Sequence, residues 1–564
     1  MGEADGYYNN SDGRGPPPQQ YSQNPQQPNY GYNNNNQGYN QGYNQGQWQQ
    51  QQPPPPPPQN YQQDQQQGYQ QGYQQPNYGP PPQYSYNPPQ PNDEKYGFEQ
   101  AFKLEKPKYN DLWAGILFLA CFAGYVVVSV LAIKGYVDGS SGNGIYGGRN
   151  TFSLNSNTII LFTCALGAAV VLSWLYVWLA RMFPKPFIWV TGILNIVFAI
   201  GTAIFYLYKK YYSAGIVFLI FGAFMAFAFY TWIPRIPFSA LMLKTSIDVS
   251  KKYGHVYIVS FIGGILAAAF GAWFSVTMVA IYVKWDPSPD NPNCGADGSG
   301  CSQGKVIGLI VFVTFAMYWI SEWLKNTIHT TISGVYASWY FCVNNFPKDA
   351  TRGAAKRALT YSFGSISLGS LLVAIIQFLR QLCSVAKSES MQEGGVGGFI
   401  GMAVFCVLNC LLGLVEWALE FLNRYAFCHI ALYGKAYIPA AKDTWKMIKD
   451  RGIDALINEC LIGPVLSFGA MFIGYACALL AYIYLLVTKP EYNSGGGFTP
   501  VVLAFSFLIG FQIAHVFTTP LSSGIDTIFV AAGWDPQIMV RDHPELYQEM
   551  VRLYPKVQEA IYDR

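Results

Sequence analysis

The chain has 564 residues, 51% of them hydrophobic and only 12% charged, about half the ~25% charge density of an ordinary globular protein. That composition excludes a soluble enzyme of the usual kind; the net charge of +3 is uninformative as a total, and no nucleic-acid partner is expected. Mean hydropathy is only +0.13 because the first hundred residues dilute a much more apolar remainder.

Residues 1–100 are built from Gln, Asn, Tyr, Pro and Gly, with a proline run at 53–58 and repeats such as GYNQGYNQGQ. With almost no aliphatic side chains, this segment has too little to bury to offset the entropy of ordering, and it is expected to be a disordered cytosolic tail. It lacks a basic start followed by an apolar run, so no cleaved signal peptide is expected.

Ten apolar runs follow, at residues 113–133, 157–180, 187–207, 213–233, 255–283, 306–341, 360–382, 396–433, 460–487 and 499–519. About 20 helical residues cross a hydrocarbon core of roughly 30 Å. The fold class is therefore an all-α polytopic membrane protein, with a ten-span domain over residues 105–535 and a cytosolic C-terminal tail at 536–564. With the N-terminus inside, 22 Lys and Arg fall on inner segments and 9 on outer ones. This asymmetry places both termini in the cytosol and membrane lipids around the bundle.

Two of the 11 cysteines, Cys294 and Cys301, lie in the outer loop Trp285–Gly304 and are disulfide candidates in an oxidising compartment. Two inner segments, Ser239–Tyr253 and Ala440–Asn458, mix apolar and basic residues and are expected to lie in the membrane interface. Spans 306–341 and 396–433 exceed thirty-five residues each, roughly 55 Å as continuous helix. They either extend into the cytosol or break, at Gly334 and Gly413. Gly263, Ala267 and Gly271 form a small-residue stripe suited to close helix packing.

The same two long spans carry most of the intramembrane charge. Glu322, Asn326, His329 and Ser333 share one helix face, as do Asn409, Glu416, Glu420 and Asn423. A mid-bilayer charge costs about 2.5–3.5 kcal/mol even on insertion scales, so these faces are expected to meet each other or a watery cavity. Glu420 and Arg424 are expected to form a structural ion pair, and Lys325 stands one turn from Glu322. Tyr318, Trp323 and Trp417 supply aromatic faces beside Glu322 and Glu416, a combination that suits a small organic cation. The candidate pathway is thus Glu322, Trp323, Tyr318, Asn326, His329, Glu416 and Trp417, with His329 a candidate for a proton-linked step. The alternative for each is structural: self-cancelling ion pairs, a hydrogen-bonded histidine, and aromatics that mark membrane interfaces.

No phosphate-binding loop, His-Glu-x-x-His helix, nucleophile elbow or Cys-x-x-Cys pair occurs. No enzymatic activity, cofactor or metal is expected, and transport would be facilitated or driven by an ion gradient.

Over about residues 105–535 the chain resembles the choline transporter-like family, in its fungal pH-nine-sensitive branch. The resemblance is carried by SAGIVFLIF at 213–221, Arg235-Ile236-Pro237, and the Trp323, Asn326, Thr327, His329, Gly334, Trp339-Tyr340 pattern. It continues through TYSFGSI at 360–366, Asn423, ALYGK at 431–435 and Asp526-Thr527-Ile528-Phe529. The resemblance implies ten spans, cytosolic termini and a plasma-membrane location, with choline the leading solute. The glutamine-rich tail and the brief loop Lys134–Ser156 depart from the animal members. A non-transporting scaffold and a lipid-handling, scramblase-like protein are the alternatives.

Overall fold

The computed structural model describes residues 108–139, 156–208, 210, 212–285, 287, 301–343, 350–393, 395–451, 460–490, 493 and 499–558. The expected tail at 1–100 and Cys294 lie outside the described residues; Cys301 is disulfide-bonded. Among the described residues all regular structure is helical. In chain order the helices are α1 (Leu112–Gly139), α2 (Ser156–Met182), α3 (Pro184–Tyr208), α4 (Tyr212–Trp232), α5 (Ile236–Lys252), α6 (His255–Trp285), α7 (Gln303–Phe341) and α8 (Ala350–Leu359). They continue as α9 (Phe363–Glu393), α10 (Gly395–Tyr433), α11 (Tyr437–Arg451), α12 (Ile462–Thr488), α13 (Thr499–Trp534), α14 (Pro536–Asp542) and α15 (Pro544–Leu553). Among the described residues ten segments are long and apolar enough to cross a membrane: α1 to α4, α6, α7, α9, α10, α12 and α13, the fourth running on into α5.

Both long spans are continuous helices of 39 residues, unbroken at Gly334 and Gly413. Gly334 serves contact instead: a Cβ there would come within 2.7 Å of Ala354 on α8. The last span also runs further than expected, from Thr499 to Trp534 through Pro520. Proline cannot supply the N–H that the carbonyl of Val516 would accept. Ser260 on α6 donates its hydroxyl to that carbonyl at 2.7 Å, so the orphaned acceptor is satisfied from a neighbouring helix and the helix continues.

The chain enters and leaves the bundle at one end, here called proximal. At that end Asn110 donates its amide to Gly434 O (2.8 Å), and Asp111 accepts from Ser365 Oγ (2.7 Å) and from the Tyr437 N–H (2.8 Å). Gly364 lets the chain pass, since a Cβ would lie 2.3 Å from the Asp111 carbonyl. Helix α5, expected at the membrane interface, instead packs into the proximal core with Phe238, Met242, Leu243, Ser246 and Ile247 buried. Its serines explain why: Ser246 Oγ donates to Leu521 O at 2.9 Å, and Ser239 Oγ accepts from the Leu461 N–H at 2.8 Å.

Exposed apolar side chains mark the level of the bilayer. On α10 they run from Phe399 to Trp417, about 27 Å at ~1.5 Å per residue. On α12 they run from Met471 to Val487. Proximal to Trp417, residues 425–433 of α10 are buried throughout.

Candidate functional site

A cavity of about 420 Å³ lies between α7, α10, α12 and α13, lined by charged, aromatic and hydroxyl side chains. Four of the expected pathway residues meet there: Glu322, Asn326 and His329 from α7, and Trp417 from α10. The spacing of four and three residues on α7 is the reason, because it stacks those side chains along one face. Glu420 and Arg424 join from α10, Pro464 and Ser467 from α12, and His515, Ser523 and Asp526 from α13. Glu420 and Arg424 lie just proximal to the apolar belt.

The ion pairs differ from expectation. Glu420 and Arg424 do not form the pair expected of them; each bridges to another helix. Lys325 Nζ lies 3.3 Å from Glu322 Oε1 and 3.1 Å from Glu420 Oε1, joining α7 to α10. Arg424 Nε lies 3.4 Å from Asp526 Oδ2, joining α10 to α13. Inter-helix pairing wins because Lys325 and Asp526 offer opposite charges on helices already packed against α10. Gln377 on α9 donates to Glu322 at 3.2 Å, so Glu322 meets polar groups of both α7 and α9.

His329 is held from both sides. Its Nε2 lies 2.8 Å from the Arg424 carbonyl and its Nδ1 2.8 Å from Ser523 Oγ. A carbonyl only accepts, so Nε2 donates; in the neutral ring Nδ1 then accepts the serine proton. The histidine ties α7 to α10 and α13. Asn326 is similarly committed, donating to Ser370 Oγ at 2.9 Å.

The remaining expected residues go elsewhere. Tyr318 and Glu416 line a second recess of about 260 Å³ with Gln377, Arg380, Gln381, Ser384 and Asn409, on the distal side of Glu322. There Arg380 pairs with Glu416 and donates to Asn409 at 3.1 Å. Trp323 lines neither space. One residue past Glu322 it is turned about 100° round the helix, toward α1 and α9, where its ring packs 4.9 Å from Phe118 and 5.5 Å from Phe363. The aromatic wall of the cavity is instead Trp417 stacked on Phe421, with centroids 5.9 Å apart.

Toward the proximal end the cavity is floored by buried Tyr336, Tyr425, Cys428, Leu432, Ile528 and Phe529. Below that floor, Tyr340 donates to the Asp535 carbonyl at 2.9 Å and Tyr433 donates to the Asp535 carboxylate.

Sequence reasoning missed His515, although it lies within the expected last span, and missed Asp526 because that span was expected to end before Pro520. A satisfied proline inside a membrane helix would have kept Asp526 within the bundle. Gln377 and Arg380 were missed too, although Gln377, Gln381 and Ser384 recur on one face of α9.

Comparison with known proteins agrees with this architecture. Residues 216–537 match the family described as plasma-membrane choline transporter. The chain is 73% identical over 474 residues to Protein PNS1 of Gibberella zeae, covering 84% of this chain and 87% of that one. It is 58% identical over 489 residues to the pns1 protein of Aspergillus fumigatus, covering 86% and 90%. With Protein PNS1 of Saccharomyces cerevisiae it shares 41% identity over 472 residues, covering 82% and 87%. The chain is a multi-pass membrane protein that belongs to the choline transporter-like family, among its fungal members.

Proposed function

We propose that this protein is a plasma-membrane transporter of a small organic cation, with choline the leading candidate, and that the cavity between α7, α10, α12 and α13 is its binding chamber. One observation carries this reading. Three carboxylates, Glu322, Glu420 and Asp526, face two basic groups, Lys325 and Arg424. With both histidines neutral, one negative charge is left over beside the Trp417–Phe421 pair. A carboxylate next to stacked aromatic rings is a setting that attracts a quaternary ammonium group. Tyr318 and Glu416 then belong to a distal antechamber, Asn326 and His329 position the walls, and Trp323 supports α7 from behind.

The excess of Lys and Arg on the proximal segments supports a cytosolic orientation of that end and of both termini. The buried floor beneath the cavity then closes the cytosolic side. Transport is facilitated or driven by an ion gradient.

The test is uptake of labelled choline into liposomes holding the purified protein, with Glu322→Gln reconstituted beside it. Saturable uptake that falls at least about tenfold in the variant supports the reading, since removing one partner of a charge pair typically costs more than 2 kcal/mol. No uptake by well-folded wild type rejects choline and calls for a wider cation panel. A lipid-handling role has one observation in its favour: Trp417, 66% exposed, stands on the cavity rim at the edge of the apolar belt. The same quaternary ammonium occurs as a lipid headgroup, and loss of leaflet asymmetry of a labelled phosphatidylcholine in those liposomes would favour that source.

A further inference from the structure

Lys325 differs from the other charged groups of the cavity. Arg424 is committed to Asp526, and Glu322 is nearly enclosed, with 9% of its side chain accessible and Gln377 bonded to it. Lys325 reaches into the cavity space, with 59% of its side chain accessible, and its ammonium is shared between Glu322 at 3.3 Å and Glu420 at 3.1 Å. Glu420 is the looser of the two partners, 40% accessible. It stands three residues after Trp417 and next to Phe421, so its carboxylate and the aromatic pair project into the same space.

We infer that Lys325 is a tethered competitor for the transported cation: its ammonium occupies the acidic pair Glu322 and Glu420 in the empty protein, and the substrate binds by taking Glu420 from it. The inference rests on the cation-transport reading of this cavity and specifies its chemistry. A lysine is suited to the task because its compact charge rides on a four-carbon flexible stem, able to swing away while remaining bonded to Glu322. An arginine fork would hold both carboxylates more rigidly.

Two consequences follow for the substrate. The charge left over in the cavity is one negative, so the wild-type site matches a single positive charge. Without the lysine the excess becomes two, and a dication becomes the better match. The cavity floor and the Arg424–Asp526 bridge stay in place in either case, because neither touches Lys325. The lysine thus sets both how tightly a cation binds and how many charges it carries.

The experiment measures equilibrium binding of labelled choline and labelled 1,4-diaminobutane to purified wild type, Lys325→Gln, Lys325→Arg and Glu420→Gln, each checked for monodispersity. Lys325→Gln is expected to bind choline roughly fivefold tighter, the scale of one partly exposed ion pair no longer competing. It should also gain affinity for the diamine by a larger factor than for choline. Lys325→Arg should bind no tighter than wild type, and Glu420→Gln should lose affinity for both ligands. If wild type binds choline and Lys325→Gln binds it equally or more weakly, the competitor role is wrong and Lys325 is only a strut between α7 and α10. If Lys325→Gln does not fold, choline affinity unchanged in Glu420→Gln overturns the inference on its own. If folded wild type binds no monocation of a wider panel, the transport reading itself falls, a different result from either of these.

Discussion

The proximal layer and the cavity above it are both rich in polar groups, but they use them differently. In the proximal layer Asp111, Asn110, Asp535, Tyr340 and Tyr433 each make short, fixed contacts to backbone or to one another, and the surrounding residues are buried. In the cavity the charged groups bridge helices at 3.1–3.4 Å, and Lys325, Glu420 and Arg424 remain partly accessible. Buried polar groups that are fully satisfied specify one structure; accessible charges shared among several partners can exchange them. A layer of the first kind beneath a chamber of the second gives a closed floor under a site able to rearrange.

Two tryptophans of the same spans separate these roles most sharply. Trp323→Ala removes a ring packed between Phe118 and Phe363 and is expected to cost about 3 kcal/mol of stability, seen as a lower unfolding midpoint in detergent. Choline affinity of the protein that remains folded should stay within about twofold. Trp417→Ala should do the opposite, leaving the midpoint within about 0.5 kcal/mol of wild type because the ring is exposed. Its binding of a quaternary cation should weaken about tenfold, the scale of a partly desolvated cation–π contact. Equal behaviour of the two variants would erase the distinction between support and site.

These two positions also show how far sequence reasoning reaches. Span number and helical class follow directly from apolar run length, since nothing else in ~20 residues satisfies the backbone in lipid. The shared face of Glu322, Asn326 and His329 follows from helical spacing, and the cavity lies on it. Spacing along one helix says which side chains point together, not toward which neighbour. Trp323 and Trp417 are equally aromatic and equally close to a glutamate in the chain, and only helix packing puts one in the core and the other on the rim. The same gap exchanged the expected Glu420–Arg424 pair for bridges to Lys325 and Asp526. Asp526 itself was hidden by treating Pro520 as a helix end when Ser260, 256 residues before the Val516 carbonyl it bonds, supplies the missing partner.

The proximal clip offers a test of smaller size. Asp111 has a positive φ of 51°, a conformation Asn and Asp tolerate better than other side chains. Its carboxylate accepts from Ser365 and from the Tyr437 backbone. Asp111→Ala should destabilise by about 1–3 kcal/mol, since the Tyr437 N–H loses its acceptor. Asp111→Asn, which keeps an oxygen and the backbone preference, should cost less than half as much. Thermal unfolding of both variants decides this, and a larger effect of either on cation affinity than on stability would show that the layer is not merely a floor.

The smallest expected effect concerns the C-terminal helices. His543 lies between α14 and α15, stacked on Tyr340 with ring centroids 5.3 Å apart, and its Nε2 donates to the Tyr340 carbonyl at 3.0 Å. Burial pushes its pKa below the ordinary value, outweighing that hydrogen bond and the nearby Asp542 carboxylate, which pull the other way. The neutral ring is the form that docks, so the contribution is fully present above the unfolded value, about 6.5. As pH falls below that point the unfolded chain takes up a proton that the docked form resists, and the contribution declines. The unfolding midpoint should therefore drop by about 2 °C more between pH 7.5 and 5.5 in wild type than in His543→Gln. Choline affinity measured at pH 7.5 should be the same in both, because the docked helices meet the proximal layer and not the cavity. A drop of equal size in both proteins would place the pH response elsewhere and leave His543 as a packing residue.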